Sequence, residues 1–155
     1  MDKRPLLLDN QLCFALYAAT NAIVRSYRPL LAAIDLTYPQ YIVMLTLWQD
    51  GPGSTRHIAD RLRLAPNAIT PLIDRLEVAG FVRRERDTRD RRVVHVKLTD
   101  KGAELRAAAS EAQYQVACAT GLDDCELDEM RDALHALTDR LELPEAEVPH
   151  AIGQS

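Results

Sequence analysis

The segment from residue 54 to residue 77 reads STRHIADRLRLAPNAITPLIDRLE, and its pattern is that of two short helices. Ser54 is suited to cap a helix over residues 55–62, and Pro66 to occupy the first turn of a second helix. Three residues, 63–65, separate the two helices, which is the spacing of a helix-turn-helix.

In a helix-turn-helix, the second helix enters the major groove of DNA, where its outward side chains contact bases and phosphates. Helical spacing places an apolar stripe from Ile69 to Leu76 on the inward face of this helix. The residues on the outward face include Asp74 and the candidate DNA contacts, which are Asn67, Ala68, Thr70, Pro71 and Arg75. Asn67 and Thr70 are suited to read bases or phosphates, and Arg75 to contact a phosphate.

Residues 81–98, FVRRERDTRDRRVVHVKL, are expected to form two strands joined by a charged hairpin, because apolar residues flank an Arg/Asp-rich stretch. Residues 83–97 carry a net charge of +4, whereas the whole chain, with 19 Lys+Arg and 23 Asp+Glu, carries −4. This local positive charge suits an anionic partner such as the DNA backbone, and a solvated charged hairpin is the alternative. Together the two motifs predict a winged helix, with an ordinary helical bundle as the alternative.

Apolar residues at helical spacing predict longer helices on both sides of this unit. Asp9 is expected to cap the first helix, Thr37 the second and Thr99 the fifth of six. We expect one domain over residues 1–155, in which residues 37–98 form the winged-helix part. The other predicted parts are dimerisation helices over residues 9–34 and 100–142 and a loose tail over 143–155. The flanking helices fit either one bundle or a dimer interface.

Composition and motif content exclude several other classes of protein. With 47% hydrophobic and 27% charged residues, the chain is expected to fold as a soluble domain. The longest apolar run, residues 12–19, is too short to span a membrane, and a secretory signal is not evident, so a cytoplasmic location is expected. Neither a metal nor a cofactor is expected, because the four histidines lack metal-ligand spacing and a Gly-rich phosphate loop is not found.

The three cysteines match neither a disulfide framework nor a paired zinc motif. Cys13 lies in the first turns of the predicted first helix, where the helix dipole favours the thiolate that attacks peroxides. Tyr17 follows one turn later, and Tyr27 lies on the same face about 21 Å along the helix. If two such helices meet antiparallel in a dimer, Tyr27 of one chain reaches Cys13 of the other, and Tyr38 can join them. The alternative is that Cys13 and the tyrosines only pack in a core or an interface.

Several motifs resemble the MarR family of winged-helix transcription regulators. They are YPQYIVML at residues 38–45, TPLIDRLE at 70–77, AGFV at 79–82, DTRDRR at 87–92 and LTDKG at 98–102. Three further segments are similar to the OhrR branch, repressors that sense organic hydroperoxides. These are LDNQLCFALYAA at residues 8–19, YRPLL at 27–31 and LTYPQY at 36–41. The resemblance implies a mainly α winged helix-turn-helix fold with a small β-hairpin wing, and a homodimer built through both termini that binds a pseudo-palindromic DNA operator.

The OhrR resemblance also implies roles for the cysteines and tyrosines. Cys13 is then the redox sensor, and its thiolate is supported by Tyr17, Tyr27 and Tyr38. Cys118, near the end of the predicted fifth helix, is the expected resolving cysteine of the partner subunit. Cys125, expected in the loop after the fifth helix, is the fallback. The intersubunit disulfide would shift the helices and release DNA.

The MarR resemblance assigns the wing a second set of DNA contacts. Arg89, Asp90 and Arg92 match the wing motif of the family, and Arg92, oriented by Asp90, is expected to enter the minor groove. The start of the recognition helix departs from the OhrR pattern Asp-Ser-Gly-Thr, since residues 65–68 read Ala-Pro-Asn-Ala. Two polar contacts are therefore missing, which leaves the operator sequence open and more of the binding to Asn67, Thr70 and the wing.

The sequence thus predicts a repressor, not an enzyme, that leaves DNA when an organic hydroperoxide oxidises Cys13. Its expected partners are double-stranded DNA, a second copy of the chain and the hydroperoxide. One alternative is release by a small aromatic or phenolic ligand in the crevice between the first, second and fifth helices. Another is a thiol peroxidase centred on Cys13, which would leave the helix-turn-helix and the basic wing unexplained.

Overall fold

Residues 5–142 of this computed structural model are described, and they are mainly helical. The predicted tail over residues 143–155 lies outside them. The described helices are α1 (Leu12–Ala32), α2 (Tyr38–Asp50), α3 (Thr55–Leu62), α4 (Pro66–Val78), α5 (Asp100–Thr120) and α6 (Asp124–Glu142). The strands are β1 (Gly53–Ser54), β2 (Val82–Arg86) and β3 (Val94–Leu98). The chain divides into two compact units, Met1–Val116 and Ala117–Ser155.

The predicted helix starts in the middle of the chain are confirmed by their caps. Thr37 and Gln40 form a capping box at the start of α2, and the Ser54 side chain accepts a hydrogen bond from the backbone N–H of His57 in α3. The Thr99 hydroxyl accepts from the N–H of Gly102 at 3.1 Å, which anchors the first turn of α5.

The prediction that Asp9 caps the first helix is wrong. Residues Leu8–Asn10 form a separate 3-10 turn, in which the backbone N–H of Gln11 donates to the carbonyl of Leu8 at 3.0 Å. Gln11 is then extended and becomes the N-cap, so α1 begins at Leu12. Cys13 consequently lies one residue inside the helix, nearer to its N-terminus than expected.

The expected loop position of Cys125 is also wrong. The N–H of Glu126 donates to the Asp123 carboxylate, and the N–H of Asp123 donates to the Glu126 carboxylate, both at 2.9 Å. This capping box starts α6 at Asp124, so Cys125 is the second residue of the helix.

The sheet of the described chain is antiparallel with strand order β1-β3-β2. Gly53 pairs with Val96, and Val82 pairs with Leu98. The two-residue strand β1 was not predicted, and β2 runs to Arg86, further into the basic stretch than the sequence indicated. The structure therefore has the predicted class of fold, a mainly α winged helix-turn-helix.

The core of the first unit lies beneath the helix-turn-helix. Its fully buried side chains come from the end of α1, from α2, α3 and α4, and from the sheet, and include Leu31, Met44, Ile58, Ile73 and Val96. Gly102 in α5 touches the backbone of Phe81, because a Cβ built on it would lie 2.0 Å from the Phe81 carbonyl oxygen. That close approach fixes the start of α5 against the base of the wing.

Within residues 5–142, the helices are all too short or too polar to cross a membrane.

Candidate DNA interface and redox site

Helix α4 presents one apolar and one exposed face. Ile69, Ile73 and Leu76 are fully buried. The side chains that the sequence selected as DNA contacts are all exposed: Asn67, Ala68, Thr70, Pro71 and Arg75. The Thr70 hydroxyl donates to the Pro66 carbonyl at 3.2 Å, so its oxygen lone pairs remain as acceptors on the exposed face.

Arg84 in β2 balances the acidic residues of α4. Its guanidinium donates to the carboxylates of Asp74 and Glu77, and its backbone N–H donates to Glu77 Oε1 at 3.1 Å. Arg84 is one of the positive residues behind the net charge of residues 83–97. Because its charge is paired in this way, Arg84 joins the wing to α4 and offsets two negative charges beside the exposed face of α4.

The wing tip, residues 87–93, is held by two aspartates. Asp87 Oδ1 accepts from the backbone N–H groups of Arg89 at 2.7 Å and Asp90 at 3.1 Å. Asp90 Oδ1 accepts from the backbone N–H of Arg92 at 3.0 Å. Asp90 therefore fixes the backbone of Arg92 and not its guanidinium, and both arginine side chains are exposed. The sequence reasoning missed the role of Asp87, although aspartates that bond two residues ahead are a known turn signal.

Three tyrosines form a cluster where α1 meets α2. The ring centroid of Tyr27 is 5.4 Å from that of Tyr38 and 5.3 Å from that of Tyr41. Burial, with a further effect of Tyr27, raises the pKa of Tyr38. Burial also raises the pKa of Tyr41, with further contributions from Tyr27 and Tyr38. Both phenols therefore stay neutral near neutral pH and can donate hydrogen bonds. Tyr41 was not among the predicted site residues.

Tyr17 lies apart from this cluster. Ten residues of α1, about 15 Å of helix, separate it from Tyr27, and its side chain is 68% exposed. It shares a face with Cys13, one turn away on the same helix.

The three cysteines are free thiols and are exposed. Cys13 is the second residue of α1, and Cys118 lies in the last turn of α5, where its carbonyl accepts from the N–H of Gly121 at 3.1 Å. Cys125 Sγ lies 3.7 Å from Glu129 Oε1 in α6.

Two cavities lie near the tyrosine cluster. One of about 370 Å³ is lined by residues of α1 and the start of α2, including Val24, Arg28 and Tyr38. Another of about 530 Å³ lies between α2 and α5 and is lined by residues including Tyr41 and Arg106. Both are large enough for a small organic molecule.

Comparison with known proteins places the chain among transcription regulators. A sequence model of the MarR family matches residues 36–94. The chain is 46% identical over 149 residues to the HTH-type transcriptional regulator TtmR of Methylorubrum extorquens, covering 92% of this chain and 76% of TtmR. It is 33% identical over 134 residues to the organic hydroperoxide resistance transcriptional regulator of Bacillus subtilis, covering 86% of this chain and 91% of that protein.

The solved structures of AbfR, a protein of Staphylococcus epidermidis, are also similar. Reduced AbfR bound to DNA matches at a TM-score of 0.73 and 36% identity, covering 87% of this chain and 93% of AbfR. AbfR with a formed disulfide matches at a TM-score of 0.62. The relatives share the winged-helix architecture described above, and regulators of this kind bind DNA and act as dimers. With 46% identity to TtmR over 92% of its own length, the chain belongs to the MarR family and is a transcriptional regulator.

Proposed function

We propose that this regulator is a repressor that senses organic hydroperoxides through Cys13 and then releases DNA. The observation that carries the proposal is the pairing of an exposed thiol at the start of α1 with a cluster of tyrosine hydroxyl donors at its other end. In an antiparallel pair of α1 helices, Tyr27 and Tyr38 of one subunit lie beside Cys13 of the other. Tyr17 lies one turn from Cys13 on its own helix.

A dimer through both termini is supported by apolar side chains that a single chain leaves in water. Leu8 in the 3-10 turn before α1 and Leu12, the first residue of α1, are each 61% exposed, and Met130 and Leu141 of α6 are 54% and 77% exposed. In the proposed dimer, the second subunit covers these apolar side chains. We therefore keep residues 9–34 and 100–142 as the proposed dimerisation helices, flanking the winged-helix part at 37–98.

The proposed chemistry proceeds in two steps. The Cys13 thiolate attacks the terminal oxygen of the hydroperoxide, the O–O bond breaks and the alcohol leaves with the hydroperoxide proton. Cys13 becomes a sulfenate, which takes a proton from solvent to give the sulfenic acid. The Cys118 thiolate of the partner subunit then attacks the sulfenic sulfur, an S–S bond forms, the S–O bond breaks, and the leaving hydroxide takes a proton from solvent to become water. Cys13 lies at the positive end of the α1 dipole and Cys118 at the negative end of the α5 dipole, and we therefore assign the sensing role to Cys13.

The relatives support a redox switch of this type. AbfR has been solved as reduced protein on DNA, as overoxidised protein on DNA and in a disulfide form. The Bacillus subtilis relative is named for organic hydroperoxide resistance. If the disulfide of this chain moves α1 and α5, the spacing of the two recognition helices changes and the operator is released.

For the DNA-bound state, we propose that α4 reads the major groove and the wing the minor groove. Asn67 and Thr70 contact bases or phosphates, with Ala68 and Pro71 beside them, and Arg75 contacts a phosphate. Arg92 enters the minor groove, with Arg89 nearby and Asp90 fixing the loop. The exposure of these side chains supports both assignments.

The test is fluorescence anisotropy with a duplex that the wild-type protein selects from random-sequence DNA. One equivalent of tert-butyl hydroperoxide is expected to release wild-type protein and to leave Cys13→Ser bound. Cys125→Ser is the matched control, since it removes an exposed thiol at the same position of another helix, and it is expected to behave as wild type. Equal release of wild type and Cys13→Ser would overturn the redox proposal.

A second candidate function is release by a small aromatic or phenolic ligand, with Cys13 as a packing residue. The cavity of about 530 Å³ between α2 and α5 favours it, because Tyr41 and Trp48 line it beside the cation of Arg106. If salicylate releases Cys13→Ser from the same duplex, and added hydroperoxide does not change that release, this second function is the correct one.

A further inference from the structure

We infer that His95 is a positioning residue for DNA binding, because it holds the arginine-bearing wing tip in shape through Asp87. This inference rests on the proposed contact between the wing arginines and DNA. His95 lies in β3, outside the tip itself, and none of the DNA-contact assignments above includes it.

The geometry of the pair fixes which group donates. His95 Nε2 lies 3.1 Å from Asp87 Oδ2. The backbone N–H groups of Arg89 and Asp90, followed by His95, lower the pKa of Asp87, so its side chain is a carboxylate near neutral pH. A carboxylate only accepts hydrogen bonds, so the ring N–H of His95 is the donor.

The two oxygens of Asp87 therefore face different parts of the wing. Oδ2 accepts from the strand through His95, and Oδ1 accepts from the tip through the N–H groups of Arg89 and Asp90. The backbone of Asp87 also donates to the Val93 carbonyl at 2.9 Å, at the other end of the tip. His95 thus ties the tip to the sheet and orients the carboxylate on which the tip turns.

The neighbouring charges leave Asp87 as the carboxylate for His95. In the sheet, His95 pairs with Ser54 of β1 and with Glu85 of β2. Glu85 is bound by Arg83 at 2.7 Å and by Lys97. Because Glu85 is already engaged by two cations, it competes weakly for the imidazole.

Removal of the His95 donor would leave Asp87 free to rotate towards the positive side chains of the tip. The backbone of Arg89 and Asp90 would lose its acceptor, and ordering the tip would then oppose DNA binding. We expect a loss of affinity of about tenfold, as for one hydrogen bond to a charged group.

The experiment compares full-length variants on the selected duplex over a range of salt concentrations. His95→Thr keeps a strand-forming residue that is too short to reach Asp87, and His95→Gln keeps an N–H donor at a similar distance. Arg92→Ala tests the wing contact itself, and the double variant Arg92→Ala/His95→Thr tests coupling. His95→Leu replaces the Thr variant if thermal unfolding shows that Thr unfolds the domain.

We expect His95→Thr to bind DNA more weakly than wild type and with a shallower salt dependence. We expect His95→Gln to bind nearly as well as wild type, and the double variant to bind no more weakly than Arg92→Ala. A loss of fold alone would lower the active fraction without changing the salt slope. The role of His95 would be overturned if His95→Thr bound normally while Arg92→Ala bound weakly. It would also be overturned if His95→Thr and His95→Gln lost the same affinity. Normal binding by Arg92→Ala would instead overturn the wing contact, and the inference with it.

Discussion

The ring of Tyr27 in α1 lies 5.4 Å from the ring of Tyr38, the first residue of α2. This contact brings two phenols from different helices to one place, whereas Cys13 of the same chain lies about 21 Å from Tyr27 along α1. Because α1 is one continuous helix over this distance, Tyr27 and Tyr38 cannot reach Cys13 of their own chain. If they hydrogen-bond to a Cys13 thiolate, it is that of the partner subunit.

Tyr27→Phe is expected to slow oxidation of Cys13 by tert-butyl hydroperoxide about tenfold, because the variant removes one hydrogen-bond donor to the thiolate. The rate is measured by stopped-flow with a thiol-reactive readout. Tyr114→Phe, which removes a hydroxyl from α5 outside the cluster, is the control and should oxidise at the wild-type rate. An unchanged rate in Tyr27→Phe would remove this tyrosine from the mechanism.

Arg92→Ala is expected to weaken DNA binding by a similar factor on many sequences and to reduce the salt slope by about 1. Asn67→Ala is expected instead to lose affinity for the selected duplex more than for shuffled DNA, since α4 is the proposed reader of bases. Binding of both variants to a panel of single-base substitutions separates the two roles. If the loss of affinity in Arg92→Ala depended on the identity of one base pair alone, the placement of Arg92 in the minor groove would be contradicted.

Arg84→Met is expected to weaken DNA binding severalfold, because it exposes the negative charges of Asp74 and Glu77 beside the DNA-binding face. The combined change Asp74→Asn and Glu77→Gln in the Arg84→Met background should restore most of the affinity. Anisotropy at low salt measures both. If the triple variant binds as weakly as Arg84→Met, the effect is not electrostatic.

Gly102→Ala is expected to destabilise the fold by about 3 kcal/mol, because the new methyl group would overlap the Phe81 carbonyl, 2.0 Å from its Cβ. Urea unfolding measures the change. Ala107→Ser, at an exposed position of the same helix, should change stability by less than about 0.5 kcal/mol. A near-neutral Gly102→Ala would show that α5 can shift away from the wing.

Local chemistry explains which parts of the fold were predictable. The starts of α2 and α3 depend on caps at Thr37 and Ser54 and on sequence next to them, so both were predicted. Strand β1 has two residues and exists only because Gly53 and Ser54 pair with β3, which is distant in sequence. The start of α1 depends on competition between the Asp9 cap and the turn at Leu8–Asn10, which the sequence pattern did not resolve.

The candidate site shows the same division. The exposed face of α4 follows from helical periodicity, so the sequence predicted the exposure of Asn67 and Thr70. Arg84, Asp87 and Tyr41 act through partners brought together by tertiary structure, and spacing along the chain does not indicate those partners. The pairing of Cys13 with a second cysteine concerns two subunits, and its assignment to Cys118 is still a prediction.

Non-reducing gel electrophoresis tests the central claim most directly. Wild type, Cys13→Ser, Cys118→Ser and Cys125→Ser are compared before and after about one equivalent of tert-butyl hydroperoxide. We predict a covalent dimer in wild type and Cys125→Ser, and none in Cys13→Ser or Cys118→Ser. Absence of a crosslink in wild type, with Cys13 still titrating as a free thiol, would contradict hydroperoxide sensing and favour release by a small ligand.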